Sequence, residues 1–246
     1  APHYEHTRIG YNYRLSNVCA GIGRGQMLSL PSFLEKRRGI HEEYRRRLSG
    51  VPVVVVPCSP GKVNAALCAQ ALIDFYAPRL VLNIGVAGGI GENVHIGDVV
   101  IATACVEYDF DVTASDSDVG VGDLYLPGNE DVPIRFFPCD ETAAKVLAAA
   151  GEGLYGHAHR GVVATGDRFV ADPQVGAWLQ KEFGALACEM EGGAIAHACL
   201  VNSVPCAVLR TISDNAHDSE TVDFLTFVDS SAQKAQQLLR EALPRL

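Results

Sequence analysis

"ALACEMEGGAIAHACLVNSVPCAVLRTISDNA", Ala185 to Ala216, is the stretch on which the fold turns. ALACEM (185–190) has strand character and leads into GGAIAHACLVN (192–202), whose apolar residues recur at helical spacing. A Ser-Val-Pro break then opens a second apolar run, VPCAVLRTISD (204–214). Strand, helix and strand joined by short connections form the unit that builds a sheet covered by helices. Three carboxyls stand out in this oily context: Glu189, Glu191 and, ending the second strand, Asp214. A carboxylate taken out of water is costly unless it is paired, hydrogen-bonded or protonated. Either these groups are solvated strand ends, or they line a ligand site.

The same alternation extends toward the amino terminus as far as Val51. VPVVVVP (51–57) reads as a short buried strand, and GKVNAALCAQALIDFY (61–76) as a helix. RLVLNIGVAGGIG (79–91) is a strand running into a glycine-rich turn, GDVVIATACVEY (97–108) a strand and DETAAKVLAAAG (140–151) a helix. RGVVATGDRFV (160–170) is a strand leading to a loop, PQVGAWLQKEFG (173–184) a helix, and VDSSAQKAQQLLREAL (228–243) a closing amphipathic helix. The expectation is a three-layer αβα architecture around a central mixed sheet. Ligands of such sheets gather beyond the carboxyl ends of the strands. Three strand ends carry unusual glycine or polar content: GVAGG (85–89), CEME (188–191) and ISDNA (212–216).

Composition narrows the function classes. The 246 residues are 48% hydrophobic, with a net charge of -9. Residues 1–50 hold nine Lys/Arg and four Asp/Glu, about +5, which leaves about -14 on the remainder. An acidic body argues against nucleic acid as a partner. The basic stretch EKRRGIHEEYRRRL (35–48) interleaves glutamates and reads as a solvated helix face. No apolar run reaches the roughly 20 residues of a membrane span, and no export leader is evident. The eight cysteines are scattered without a C-x-x-C pair, so reduced thiols in a cytoplasmic protein are expected, with no metal and no organic cofactor.

NIGVAGGIG (83–91) lacks the G-x-G-x-x-G spacing of a dinucleotide fingerprint. Its glycines let backbone approach a ligand or simply close a tight loop. Asp214 alone would read as a turn or capping residue. With Glu189 and Glu191 at a neighbouring strand end, the trio suits hydroxyl binding, proton delivery and water activation. That is the chemistry of breaking a glycosidic bond.

Residues 51–246 resemble the nucleoside phosphorylase/hydrolase superfamily, and within it the 5'-methylthioadenosine/S-adenosylhomocysteine nucleosidases. Seven ordered motifs carry the resemblance: GKVNAAL (61–67), NIGVAGG (83–89), IGDVVIAT (96–103), DFDVTA (109–114), VVATGDRFV (162–170), CEMEGGAIAHAC (188–199) and VLRTISDNA (208–216). It implies that Asp214 protonates N7 of an adenine leaving group, positioned by Ser213, and that Glu189 lies near the attacking water. Glu191 would bind the ribose hydroxyls with Met190 against the sugar. Phe169 would stack on adenine, while the Val170 backbone reads the base edge. Arg210 would orient the carboxylates, the Ala87 and Gly88 backbone would lie against the substrate, and Phe224 would line the 5'-thio pocket. The implied substrate is a small nucleoside and the implied assembly a homodimer, with the DFDVTA region toward the partner.

The resemblance is not uniform. Val86 stands where these nucleosidases carry a small polar residue, and Pro60 replaces a residue flanking the sugar. Their amino-terminal G-A-M-x-x-E segment, whose glutamate activates water, has no counterpart here, so residues 51–246 are expected to lack the usual first strand. Residues 1–50 instead resemble part of a pyridoxal-phosphate-dependent sugar aminotransferase, with GYNYRLSN (10–17) as the matching stretch. Asn12 would be its cofactor contact, but the Schiff-base lysine and cofactor domain are missing. Three readings follow: a nucleoside hydrolase, a phosphorolytic or futalosine-type relative, and a nucleoside-binding protein without turnover. The glycine turn carries no Lys or Arg to hold phosphate, which favours the hydrolase over the phosphorylase.

Overall fold

The computed structural model describes residues 51–116, 118–215 and 224–246. The expectations for residues 1–50, an aminotransferase-like helical segment in place of a first strand, lie outside the described residues. Chain contacts divide at Val55/Val56, and the unit Val56–Leu246 holds every element named below.

Eight strands and five α-helices are described. The strands are β1 (Val81–Gly89), β2 (Val99–Glu107), β3 (Leu124–Leu126), β4 (Asn129–Ile134), β5 (Phe137–Pro138), β6 (His159–Thr165), β7 (Ala185–Glu189) and β8 (Cys206–Asn215). The helices are α1 (Lys62–Tyr76), α2 (Glu141–Tyr155), α3 (Pro173–Phe183), α4 (Gly192–Val201) and α5 (Phe224–Ala242). Six strands form one mixed sheet in the order β5-β2-β6-β7-β1-β8, and β3 and β4 form a separate hairpin. A further antiparallel β2–β8 pairing, Val99↔Thr211 to Ile101↔Leu209, curls the sheet until β1, β8, β2, β6 and β7 close a ring. Sheet twist makes such closure accessible.

Alternate residues of the strands face two apolar layers. Val100, Val208 and Ile212 pack with Ala65 and Ala69 of α1 and Ile195 and Cys199 of α4. Val99, Ile101 and Leu209 pack with Leu147 of α2 and Leu238 of α5. The expected αβα layering is what forms. Helix ends follow their sequence signals. Asp140 caps α2 by accepting from Ala143 N at 2.7 Å, Asp172 caps α3 ahead of Pro173, and Gly156 and Gly184 end these helices at positive φ.

One expectation fails. The valine run 51–57 is in no strand. Pro52 and Pro57 lack backbone donors, and β-branched composition favours an extended chain without supplying a strand to pair with. The β3–β4 hairpin and the two-residue β5 had no signal strong enough to be anticipated.

Candidate active site

The carboxyl ends of β6, β7 and β8 converge on one cleft, lined by Gly88, Arg168, Phe169, Val170, Cys188, Glu189, Met190 and Asp214. Neighbouring parallel strands place Glu107 opposite Thr165, and Thr165 opposite Glu189. On the other side, β1 and β8 run parallel until a bulge after Ala87. There Ala87 faces Ile212 but Gly88 faces Asp214, which leaves Ser213 as the extra residue. A bulge re-aims the side chains around it. Here Ser213 Oγ donates to Asp214 Oδ1 at 2.6 Å, and the Asp214 carboxyl lies over Gly88. A Cβ on Gly88 would come within 3.2 Å of Asp214 Oδ2.

Glu189 is buried and fully engaged. Its carboxylate accepts hydrogen bonds from Thr165 Oγ1, Arg210 Nη2, Glu191 N (2.9 Å) and Gly192 N (2.7 Å). The two backbone donors belong to the start of α4, where the helix dipole favours negative charge. Burial alone would push this carboxyl up. The Arg210 charge and the surrounding donors outweigh that and hold it below the usual glutamate range. Arg210, 0% exposed, also donates to Asn83 Oδ1, and its Nη2 lies 3.8 Å from Glu191 Oε2. Gly85 makes room for it, since a Cβ there would sit 2.8 Å from Arg210 Nη1.

Glu191 is different. It lies half-buried and accepts from Gly61 N at 3.1 Å. Burial and the nearby Glu189 charge push its carboxyl up, against the pull of Arg210. Gly61 reaches it from a backbone with φ 101°, open to glycine and strained for other residues. The next residue ties in a second network: Lys62 Nζ pairs with Asp109 (2.5 Å) and Glu107 (3.2 Å), Lys62 N donates to Asp167 (2.8 Å), and His197 Nδ1 lies 3.0 Å from Glu107.

The cleft thus brings together Asp214, Glu189, Met190, Phe169, Val170 and Gly88 of the expected residues. Ser213 adjoins it through Asp214, and Glu191 through Met190 and Glu189. Ala87 and Arg210 lie buried behind it, so Arg210 acts on the site through the glutamates. Phe169 is 63% exposed, whereas Val170 is buried in a cluster with Leu179 and Phe183. Phe224 opens α5, and its side chain lies outside the described residues. Sequence reasoning missed Thr165, Asn83, Arg168 and the Lys62 network, although Thr165 and Lys62 lie inside quoted motifs and Asn83 opens one. Cys188, also at the cleft, is kept neutral: burial, with the Asp214 and Glu189 charges, pushes its thiol up to about 12.

Comparison with known proteins adds the family. Residues 26–244 match the phosphorylase superfamily model. The chain belongs to the phosphorylase superfamily. It is 36% identical over 173 residues to the aminodeoxyfutalosine nucleosidase of Campylobacter jejuni, covering 70% of this chain and 72% of the relative. It is 38% identical over 185 residues to the 5'-methylthioadenosine/S-adenosylhomocysteine nucleosidase of Shewanella putrefaciens, covering 74% and 76%. Its fold matches the Neisseria meningitidis nucleosidase of that name, solved with methylthio-immucillin-A, at a TM-score of 0.71 and 29% identity, over 83% of this chain and 94% of that one.

Proposed function

We propose that the chain hydrolyses the N-glycosidic bond of 5'-methylthioadenosine and S-adenosylhomocysteine, releasing adenine and a 5-thioribose product. The observation that carries this reading is the β1–β8 bulge, which aims Asp214, steadied by Ser213, into a cleft walled by Phe169 and Val170. Asp214 delivers a proton to N7 of adenine and makes it a better leaving group. Glu191 binds the ribose hydroxyls, and its carboxylate favours the positive charge that develops on the sugar. Met190 packs against the ribose and Gly88 lets it approach. Glu189 and Arg210 are positioning residues: together they fix the β7–α4 turn from which Met190 and Glu191 project.

Three further parts of the reading rest on separate support. The homodimer is supported by an apolar stripe on α1, where Val63, Leu67 and Phe75 are 69%, 66% and 81% exposed at four- and eight-residue spacing. Leu67→Asp breaks the dimer in a sedimentation measurement if that stripe is the interface. The cytoplasmic setting is supported by the described cysteines, none of which forms a disulfide. Among the described residues no helix is long and apolar enough to cross a membrane.

A nucleoside-binding protein without turnover is the second reading. It is favoured by the engagement of the Glu189 carboxylate, which takes three donors on Oε2 and one on Oε1 and is tied to the frame rather than to a water. Adenine release from methylthioadenosine, measured beside equilibrium binding of the same nucleoside, separates the two. Binding without release overturns the hydrolase.

A further inference from the structure

Away from the cleft, three side chains meet where β2 and β6 begin. Asp98 closes a turn just ahead of β2, with its N–H donating to His95 O at 3.0 Å. His159 opens β6 opposite Val100, and His157 precedes it by two residues. Residues two apart on an extended chain point the same way. Ala158 between them packs toward Gly151 and the α2–α5 core, so both imidazoles turn outward. His157 Nε2 lies 2.8 Å from Asp98 Oδ1 and His159 Nε2 3.0 Å from Oδ2. The three potential ligand atoms all lie within 4.8 Å of one another, and His95 Nδ1 is 3.6 Å from Asp98 Oδ2.

The framework beneath them is fixed. His95 N donates to Asp98 Oδ2 at 2.9 Å, Gly97 N to Ile212 O at 2.8 Å, and Ile212 N to Asp98 O at 2.9 Å. Lys234 Nζ donates to Gly97 O at 2.9 Å from α5. The Asp98 and His159 side chains are only 12% and 22% exposed, while His157 is 57% exposed and free to adjust. Two imidazoles and a carboxylate form a borderline donor set, suited to zinc, cobalt or nickel rather than to magnesium or calcium. Ligand bonds of about 2.1 Å in a tetrahedral shell put donor atoms about 3.3 Å apart. The 2.8 and 3.0 Å contacts to Asp98 lie near that spacing, and the exposed His157 ring has room to adjust.

We infer that Asp98, His157 and His159 bind one divalent transition-metal ion, Zn²⁺ fitting the donor set best, with His95 or water as the fourth ligand. The ion clamps the α2–β6 connection to the turn ahead of β2. None of these side chains lines the cleft, so the inference stands apart from the nucleosidase reading.

The test is a titration of the purified full chain with Zn²⁺ against a chromophoric chelator, repeated with Co²⁺ for its visible spectrum. The expected result is one ion per chain, with cobalt bands of nitrogen and oxygen ligation and no thiolate charge-transfer band. At a metal concentration one hundred times Kd the melting temperature rises by about 5–10 °C. His157→Ala and His159→Ala each weaken binding at least about tenfold. Melting in metal-free buffer checks that both variants fold, and His157→Gln offers a second, milder replacement. The inference is overturned by the lack of saturable binding, by equal affinity in the double variant, or by a cobalt spectrum of sulfur ligation.

Discussion

Glu189 and Glu191 lie two residues apart at the end of one strand, and their surroundings differ in kind. The surroundings of Glu189, in the cleft wall, are closed: Arg210, Thr165 and the start of α4 supply four donors, and the carboxyl is held below its usual range. The surroundings of Glu191, beside the cleft, are open: Gly61 N and a distant guanidinium face it, and its carboxyl is pushed up. The closed region holds the frame. The open region leaves a carboxyl half-buried. Comparing them teaches that burying charge is tolerable when the buried charge is answered by several donors and its neighbour keeps access to solvent.

Replacing Arg210 breaks this contrast most severely. Arg210→Met strands Glu189 as an uncompensated buried charge and costs about 3–5 kcal/mol in urea unfolding. Gly85→Ala strains the same region from the other side by crowding the guanidinium, at a cost of about 1–3 kcal/mol. Glu191→Gln sharpens the contrast, because it lowers kcat/KM about tenfold or more while the fold stays intact.

The pH dependence of the two glutamates has opposite signs. Glu189, held low, contributes stability that is complete above the ordinary glutamate value of about 4.3 and is lost as pH falls through its folded value. Glu191, pushed up, binds its proton more tightly when folded. Its ionisation therefore takes stability away as pH rises from about 4.3 through its folded value. Unfolding curves across that window should show Glu189→Gln less stable than the parent above it and Glu191→Gln slightly more stable. The smallest expected effect is Phe169→Ala, on an exposed ring. It leaves unfolding nearly unchanged and raises KM about 2- to 10-fold by removing the stacking surface.

Much of this was legible in the sequence because each element carried its own signal. Helical spacing in 61–76 and 192–202 and the glycine closing α3 are local chemistry that the chain obeys, whereas α2 runs past the expected end at Gly151 to Tyr155. The strand ends GVAGG, CEME and ISDNA supply Gly88, Cys188, Glu189, Met190 and Asp214 to one cleft, because polar residues ending apolar runs need a reason. What sequence could not supply was pairing. The valines of 51–57 have the composition of a strand but form none among the described residues, and the β2–β8 closure depends on twist accumulated over several strands. Roles were hidden for the same reason. Glu189 and Glu191 differ only in which donors the fold brings to them, and the crossing of Arg210 beneath Gly85 joins residues 125 positions apart.

The most direct test of the central claim is adenine release from methylthioadenosine, followed with and without phosphate, in the parent chain and in Asp214→Asn. The account predicts release that is independent of phosphate and slowed about 10²–10⁴-fold in the variant, with nucleoside binding retained. Release that requires phosphate, or that proceeds unchanged without the Asp214 carboxyl, would contradict it.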